Sequence, residues 1–103
     1  MKVVAVTACS SGIAHTYMAA EALEVVAKRH DIDISVETQG TMGIENELSQ
    51  EDIKKAVCVI LTNDMQIINE DRFVGKKVIR MSTSDVIKKA DIIMKKIITT
   101  FGK

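Results

Sequence analysis

The sequence contains no proline and no tryptophan, and only 3% of its 103 residues are aromatic. Without proline there is no rigid, Pro-rich linker to divide the chain. With so few aromatic rings there are no platforms on which bases could stack. The 14 basic residues are matched by 14 acidic ones, so no electrostatic footprint for a polyanion exists either. Nucleic acid is therefore not an expected partner. No apolar run approaches the roughly 18 residues that span a bilayer, and the N-terminus lacks the charged, apolar and cleavage regions of a secretory signal. A cytoplasmic chain without direct membrane insertion is expected. Cysteine is scarce as well, with only Cys9 and Cys58. Their unlike settings and a reducing compartment argue against a structural disulfide. Cys9, Cys58, His15 and His30 match no metal-ligand spacing, so no metal site is expected. The loop after Cys9 holds a single glycine, which excludes both G-x-G-x-x-G and the Walker A pattern. No cofactor is expected.

What the chain does contain is a strict alternation of strand-like and helix-like segments. Its length suits one domain, residues 1–103, and its 47% hydrophobic content suits a globular core. "KVVAVTA" reads as a strand, followed by a helix from about His15 to His30. "DISVETQG" alternates as a second strand and closes on Gly40, followed by the Gly-punctuated loop "TMGIENEL". In "SQEDIKKA", Ser49 caps a short helix, with Asp52 at its third position placed to reach back as in a capping box. "VCVILT" is a continuous apolar run, as expected of a central strand buried on both faces, and "KKVIRM" is a fourth strand. Between these two strands "NDMQIINEDRFVGK" carries no assigned element. The closing "STSDVIKKADIIMKKIITTF" sets Val86, Ile87, Ala90, Ile93, Met94 and Ile97 at helical spacing, with Ser82 or Ser84 as the cap. Four successive β-then-α units predict an α/β fold: a four-stranded parallel sheet with helices on both faces, an open, doubly wound, Rossmann-like three-layer sandwich. Ligands of such sheets bind beyond the carboxyl ends of the strands.

Cys9 sits at that edge, in "VTACSSGIAHTYMAAEAL". The turn from strand to helix aims successive N–H groups and the positive end of the helix dipole into the loop. Gly12 permits backbone geometry that other residues resist. The N–H groups from Ser10 through Ser11, Gly12, Ile13, Ala14 and His15 to Thr16 can then converge on an anion, with the Ser11 and Thr16 hydroxyls adding donors. The same field favours a thiolate at Cys9, the nucleophilic form. A cysteine phosphatase would use this spacing with an arginine where His15 stands, because a bidentate guanidinium holds phosphate through the transition state. Without it, a phosphocysteine is less readily hydrolysed and is free to be passed on. A relay is favoured; a small cysteine phosphatase or an arsenate reductase is the alternative.

Other candidates read as structural. Cys58, flanked by Val57, Val59, Ile60 and Leu61, is expected to be inert core. His30 closes the first helix, where an imidazolium suits the negative dipole end. The methionines are scattered core fillers, and "KKADIIMKK" is a solvated helix face rather than a lipid patch.

The loop and its flanks resemble V-T-A-C-P-T-G-I-A-H-T-x-M-A-A-E-A-L, the pattern of the fructose-specific IIB domain of the bacterial phosphoenolpyruvate-dependent sugar phosphotransferase system. The likeness continues through "VETQGTMGIENELSQEDI", "VILTND" and "DRFVGK" and so covers nearly the whole chain. It implies that Cys9 accepts phosphate from a phosphohistidine on the IIA component and delivers it to sugar held by the membrane IIC component. The sugar is expected to be fructose, leaving as fructose 1-phosphate, and the domain is expected to work at the inner face of the membrane through IIC. Related IIB domains serve other sugars, and nothing in this chain reads a sugar. Ser10 and Ser11 stand where the family usually has Pro and Thr, and Asn63 precedes Asp64 where it usually has Ala. Ser11 keeps the hydroxyl, while Ser10 restores an N–H and gives up the fixed φ of proline.

Overall fold

The computed structural model describes residues 1–9, 13–40 and 43–102. Strand β1, Lys2–Ala8, is followed by helix α1, Ile13–Arg29, and then by strands β2, Asp33–Gly40, and β3, Gly43–Glu45. Helix α2, Gln50–Lys55, leads into strand β4, Cys58–Thr62. A single 3₁₀ turn, Glu70–Phe73, precedes strand β5, Val78–Met81, and helix α3, Thr83–Phe101, closes the chain. The sheet order is β3-β2-β1-β4-β5.

All four expected strands are present and parallel to one another, β2 and β4 flanking β1 and β5 lying outside β4. The sheet has one strand more than expected: β3 adds an antiparallel edge, pairing Thr38 with Glu45 and Gln39 with Ile44. Its three residues are all exposed, so burial supplied no hydrophobic pattern from which to read it.

Alternation along the strands sorts the core onto two faces. Val3, Ala5, Cys58 and Ile60 pack with α1 and α3, through Leu23, Ala27, Val86, Met94 and Ile97. Val4, Val6, Val59 and Leu61 face the other way, toward Ile53 of α2, Leu48, Ile67 and Phe73. The central strands β1 and β4 are buried on both faces, which is why they read as unbroken apolar runs.

The helix ends follow the sequence chemistry. Ser49 and Ser82 cap α2 and α3, their side chains accepting from the N–H groups of Asp52 and Asp85 at 3.1 Å. The Asp52 carboxylate turns away from the cap, to Ser35 Oγ at 3.5 Å and Lys2 Nζ at 3.7 Å, so the capping box is half made. Helix α1 closes with Asp31 in the left-handed region (φ 58) and the Ile32 N–H returning to the Ala27 carbonyl at 2.9 Å. His30, the residue at that end, lies with Nε2 2.8 Å from Asp91 Oδ1 of α3. Helix α3 runs through its expected span, with Lys89 departing from helical φ/ψ.

Candidate active site

Helix α1 starts at Ile13, two residues earlier than the sequence suggests, so Ala14, His15 and Thr16 lie in its first turn. The N–H groups of that turn have no partner within the helix and emerge at the carboxyl edge of the sheet, beside the end of β1. Cys9, the residue after β1, is 8% exposed, with Sγ 3.8 Å from His15 Nδ1. The fold thus brings Cys9 and His15 together. Thr16 is buried, and its hydroxyl oxygen has no hydrogen-bond partner among the described residues. Ser10, Ser11, Gly12 and the side chain of Ile13 lie outside the described residues.

Cys58 is at the other end of the sheet. It opens β4 opposite Val3, wholly buried, and burial pushes its thiol up to about 11. At neutral pH it remains a thiol, and it forms no disulfide with Cys9.

Two threonine hydroxyls hold the backbone on either side of the Cys9 loop. Thr62, at the end of β4, accepts from the Ala8 N–H at 2.9 Å and donates to the Ala8 carbonyl at 3.0 Å. Thr7 donates to the carbonyl of Thr16 in α1 at 3.1 Å. Neither threonine is evident in the sequence as a site residue, because the partners are separated by 54 and 9 positions.

A polar assembly braces the neighbouring loops. Glu37 of β2, with a side chain of zero exposure, receives Arg72 in two bonds of 2.7 and 2.6 Å, the Leu48 N–H at 2.9 Å and Gln39 Nε2 at 2.8 Å. Burial alone raises the pKa of this carboxyl, but the bonds from Arg72, Leu48 and Gln39 outweigh it and hold Glu37 below the usual carboxylate value. The bond to Glu37 in turn raises Arg72. Gln39 also spans the backbone of Ile68, donating to its carbonyl at 3.1 Å and accepting from its N–H at 2.8 Å. The Asn63 N–H bonds to the Met81 carbonyl of β5, and Asp64 Oδ1 accepts from the N–H and hydroxyl of Thr83 at 2.5 and 2.6 Å. Residues 63–68 therefore run from the β4–β5 side to β2, crossing the line of β1 on the α2 side of the Cys9 edge.

This bracing accounts for the chain's arginines near the edge. Arg72 is committed to Glu37 and Arg80 to Glu70, while Arg29 lies in the last turn of α1. The guanidinium that a cysteine phosphatase requires is thus absent from the Cys9–His15 junction among the described residues. Among those residues no cluster of three or more His, Cys, Asp or Glu is placed to hold a metal ion, and no helix is long and apolar enough to cross a membrane.

Comparison with known proteins agrees with this geometry. Residues 4–96 match the family described as "PTS system, Lactose/Cellobiose specific IIB subunit". The "PTS system fructose-like EIIB component 2" of Escherichia coli (strain K12) is 57% identical over 96 residues, covering 93% of this chain and 91% of that protein. Among solved structures, a domain of the fructose-specific IIABC component from Borrelia burgdorferi superimposes with a TM-score of 0.86 at 50% identity, covering 92% of this chain and 90% of that one. The solution structure of an enzyme IIB subunit from Escherichia coli K12 superimposes with a TM-score of 0.90 at 37% identity, covering 96% and 92%. With a cysteine at the β1–α1 turn and both sequence and fold shared along nearly its whole length, the chain belongs to the IIB components of the sugar phosphotransferase system, as a fructose-like EIIB phosphotransferase.

Proposed function

We propose that Cys9 is the residue on which this IIB component carries phosphate. The observation that supports the reading most directly is the placement of Cys9 Sγ between the end of β1 and the first turn of α1, 3.8 Å from His15 Nδ1. A thiolate there attacks the phosphorus of a phosphohistidine on the IIA component. The S–P bond forms, the N–P bond breaks, and the leaving imidazole nitrogen takes up a proton. In the second step a sugar hydroxyl on the IIC component attacks the same phosphorus. The O–P bond forms, the S–P bond breaks, the hydroxyl gives up its proton and sulfur leaves as thiolate, ready for another cycle.

The cradle for the phosphoryl group is the backbone from Ser10, Ser11 and Gly12 through Ile13, Ala14, His15 and Thr16. Its N–H donors face the charge that spreads over the phosphoryl oxygens. Thr16 is included because it lies in the first turn of α1, its carbonyl held by Thr7 at 3.1 Å. His15 orients the phosphate and neutralises part of its charge. The exposed apolar side chains Tyr17, Met18, Met65 and Ile68, on elements bordering this edge, support a protein partner docking there.

Residues 1–103 act as one IIB unit at the inner face of the membrane, held there by IIC. The family description and the relatives' names refer to different sugars, so fructose rests on the fructose-like relatives. The test is to incubate the protein with a phosphorylated fructose-type IIA. An acid-stable, iodine-sensitive phosphate ester on Cys9 is expected, and its absence removes the reading. Membranes carrying a fructose-type IIC should then form fructose 1-phosphate. Sustained hydrolysis of p-nitrophenyl phosphate by the protein alone would instead favour the phosphatase alternative.

A further inference from the structure

From the bonds at its two ends, we infer that the Cys9 loop is set by a pair of threonine clamps, Thr62 at its entry and Thr7 at its exit, which act as positioning residues for phosphoryl transfer. The inference rests on the reading of Cys9 as the phosphate carrier. The β1–β4 ladder pairs Val3 with Cys58 through Val6 with Leu61 and stops there. Beyond it β1 keeps its pairing with β2 alone, through Thr7 and Ala8, and Ala8 is the last residue of β1 before Cys9. The hydroxyl of Thr62, a residue 1% exposed, occupies both polar groups of Ala8, accepting from its N–H at 2.9 Å and donating to its carbonyl at 3.0 Å. This uses a hydroxyl's abilities to donate and to accept at once, so neither valine nor alanine can substitute for it.

Eight residues further on, the chain is fixed again. Thr7, wholly buried, donates to the carbonyl of Thr16 and so pins the first turn of α1 to the strand that carries Cys9. The two clamps come from different strands: Thr62 reaches β1 from β4, and Thr7 reaches α1 from β1 itself. Between them lies the stretch that must bring Sγ and the helix N–H groups onto one phosphorus. A nucleophile displaced by about 1 Å typically loses a hundredfold in rate, so small shifts at either clamp are read directly in transfer.

Thr38 supplies the matching control. It is a buried strand threonine on the neighbouring β2, opposite Thr7, and its hydroxyl has no partner among the described residues. The experiment compares Thr62→Val, Thr62→Ser, Thr7→Val and Thr38→Val with the wild-type protein. It measures the rate of phosphate uptake from phosphorylated IIA and the pH midpoint of Cys9 alkylation by iodoacetamide, with circular dichroism to confirm folding. Thr62→Val and Thr7→Val are expected to slow uptake by about tenfold or more and to move the alkylation midpoint to higher pH, as donors that no longer converge support the thiolate less. Thr62→Ser is expected to restore both to within about twofold, because it keeps the hydroxyl, and Thr38→Val to change neither. Wild-type behaviour in folded Thr7→Val and Thr62→Val, or equal slowing in Thr38→Val, overturns the inference. Should Thr62→Val not fold, Thr7→Val decides alone. If the wild-type protein takes no phosphate, the reading of Cys9 fails, and the alkylation midpoints still judge the clamps.

Discussion

The two cysteines stand at opposite ends of the same sheet. Cys9 follows the carboxyl end of β1, facing the first turn of a helix, with an imidazole nitrogen 3.8 Å from its sulfur. Cys58 begins β4 at the amino end, packed with Val3, Ile60, Val86 and Met94, its thiol raised by burial. In a parallel sheet one end gathers helix N-termini and the other gathers their C-termini, so the same side chain meets opposite fields. The surroundings of a cysteine here depend on which end of a strand it occupies.

The largest effect should come from Cys9→Ser, which is expected to abolish phosphate uptake with the circular dichroism spectrum unchanged. Comparable loss of uptake from Cys58→Ser would break the comparison. Next, His15→Asn removes the group nearest the sulfur, and a roughly 10–100-fold slowing of uptake is expected, by analogy with removal of one preorganised polar group from an active site. Third, Arg72→Met leaves the Glu37 carboxylate buried without its ion partner, at an expected cost of about 3–5 kcal/mol in urea unfolding. The polar pair at the opposite end makes the contrast. Asp91 is half exposed, so His30→Gln should barely move the unfolding midpoint. Fourth, Cys58→Ser places a hydroxyl in an apolar core and is expected to cost about 1–3 kcal/mol while leaving uptake intact.

The smallest effect is in pH. The folded protein holds Glu37 below its ordinary value, so this carboxylate stabilises the fold at pH above its unfolded pKa, and that contribution is lost as pH falls through the folded one. In Arg72→Met the burial effect prevails and the folded carboxyl binds its proton more readily than the unfolded one. Acidification should then recover part of the lost stability, a reversal visible in urea titrations at several pH values.

Much of this was legible in the sequence, and for identifiable reasons. Strands β1 and β4 are buried on both faces and announce themselves as apolar runs, and α3 shows its stripe of Val86, Ala90, Ile93, Met94 and Ile97. Ser49 and Ser82 declare their helices because a cap is a local bond. Cys9 and His15 share one local motif because only six positions separate them. What escaped is non-local or unpatterned. Strand β3 is three exposed residues, the first of them Gly43, and the 3₁₀ turn is too short for a period. The alternating "DISVETQG" gave the strand, yet Glu37 and Gln39, on the face where polar residues usually meet water, are buried under Arg72 and the backbone of Ile68. Thr62 lies in a run that reads as core, and its bonds to Ala8 span 54 residues.

That span also orders events in time. Strands β1 and β4 are neighbours in space, but α1, β2, β3 and α2 intervene along the chain. Closing so long a loop is slow and costs entropy, whereas the β1–α1–β2 unit joins nearer partners. A chain emerging from synthesis therefore exposes its cysteine dozens of residues before the strand that secures Ala8 exists. Docking of β4 is the event that completes the junction, because only then does Thr62 reach both polar groups of Ala8.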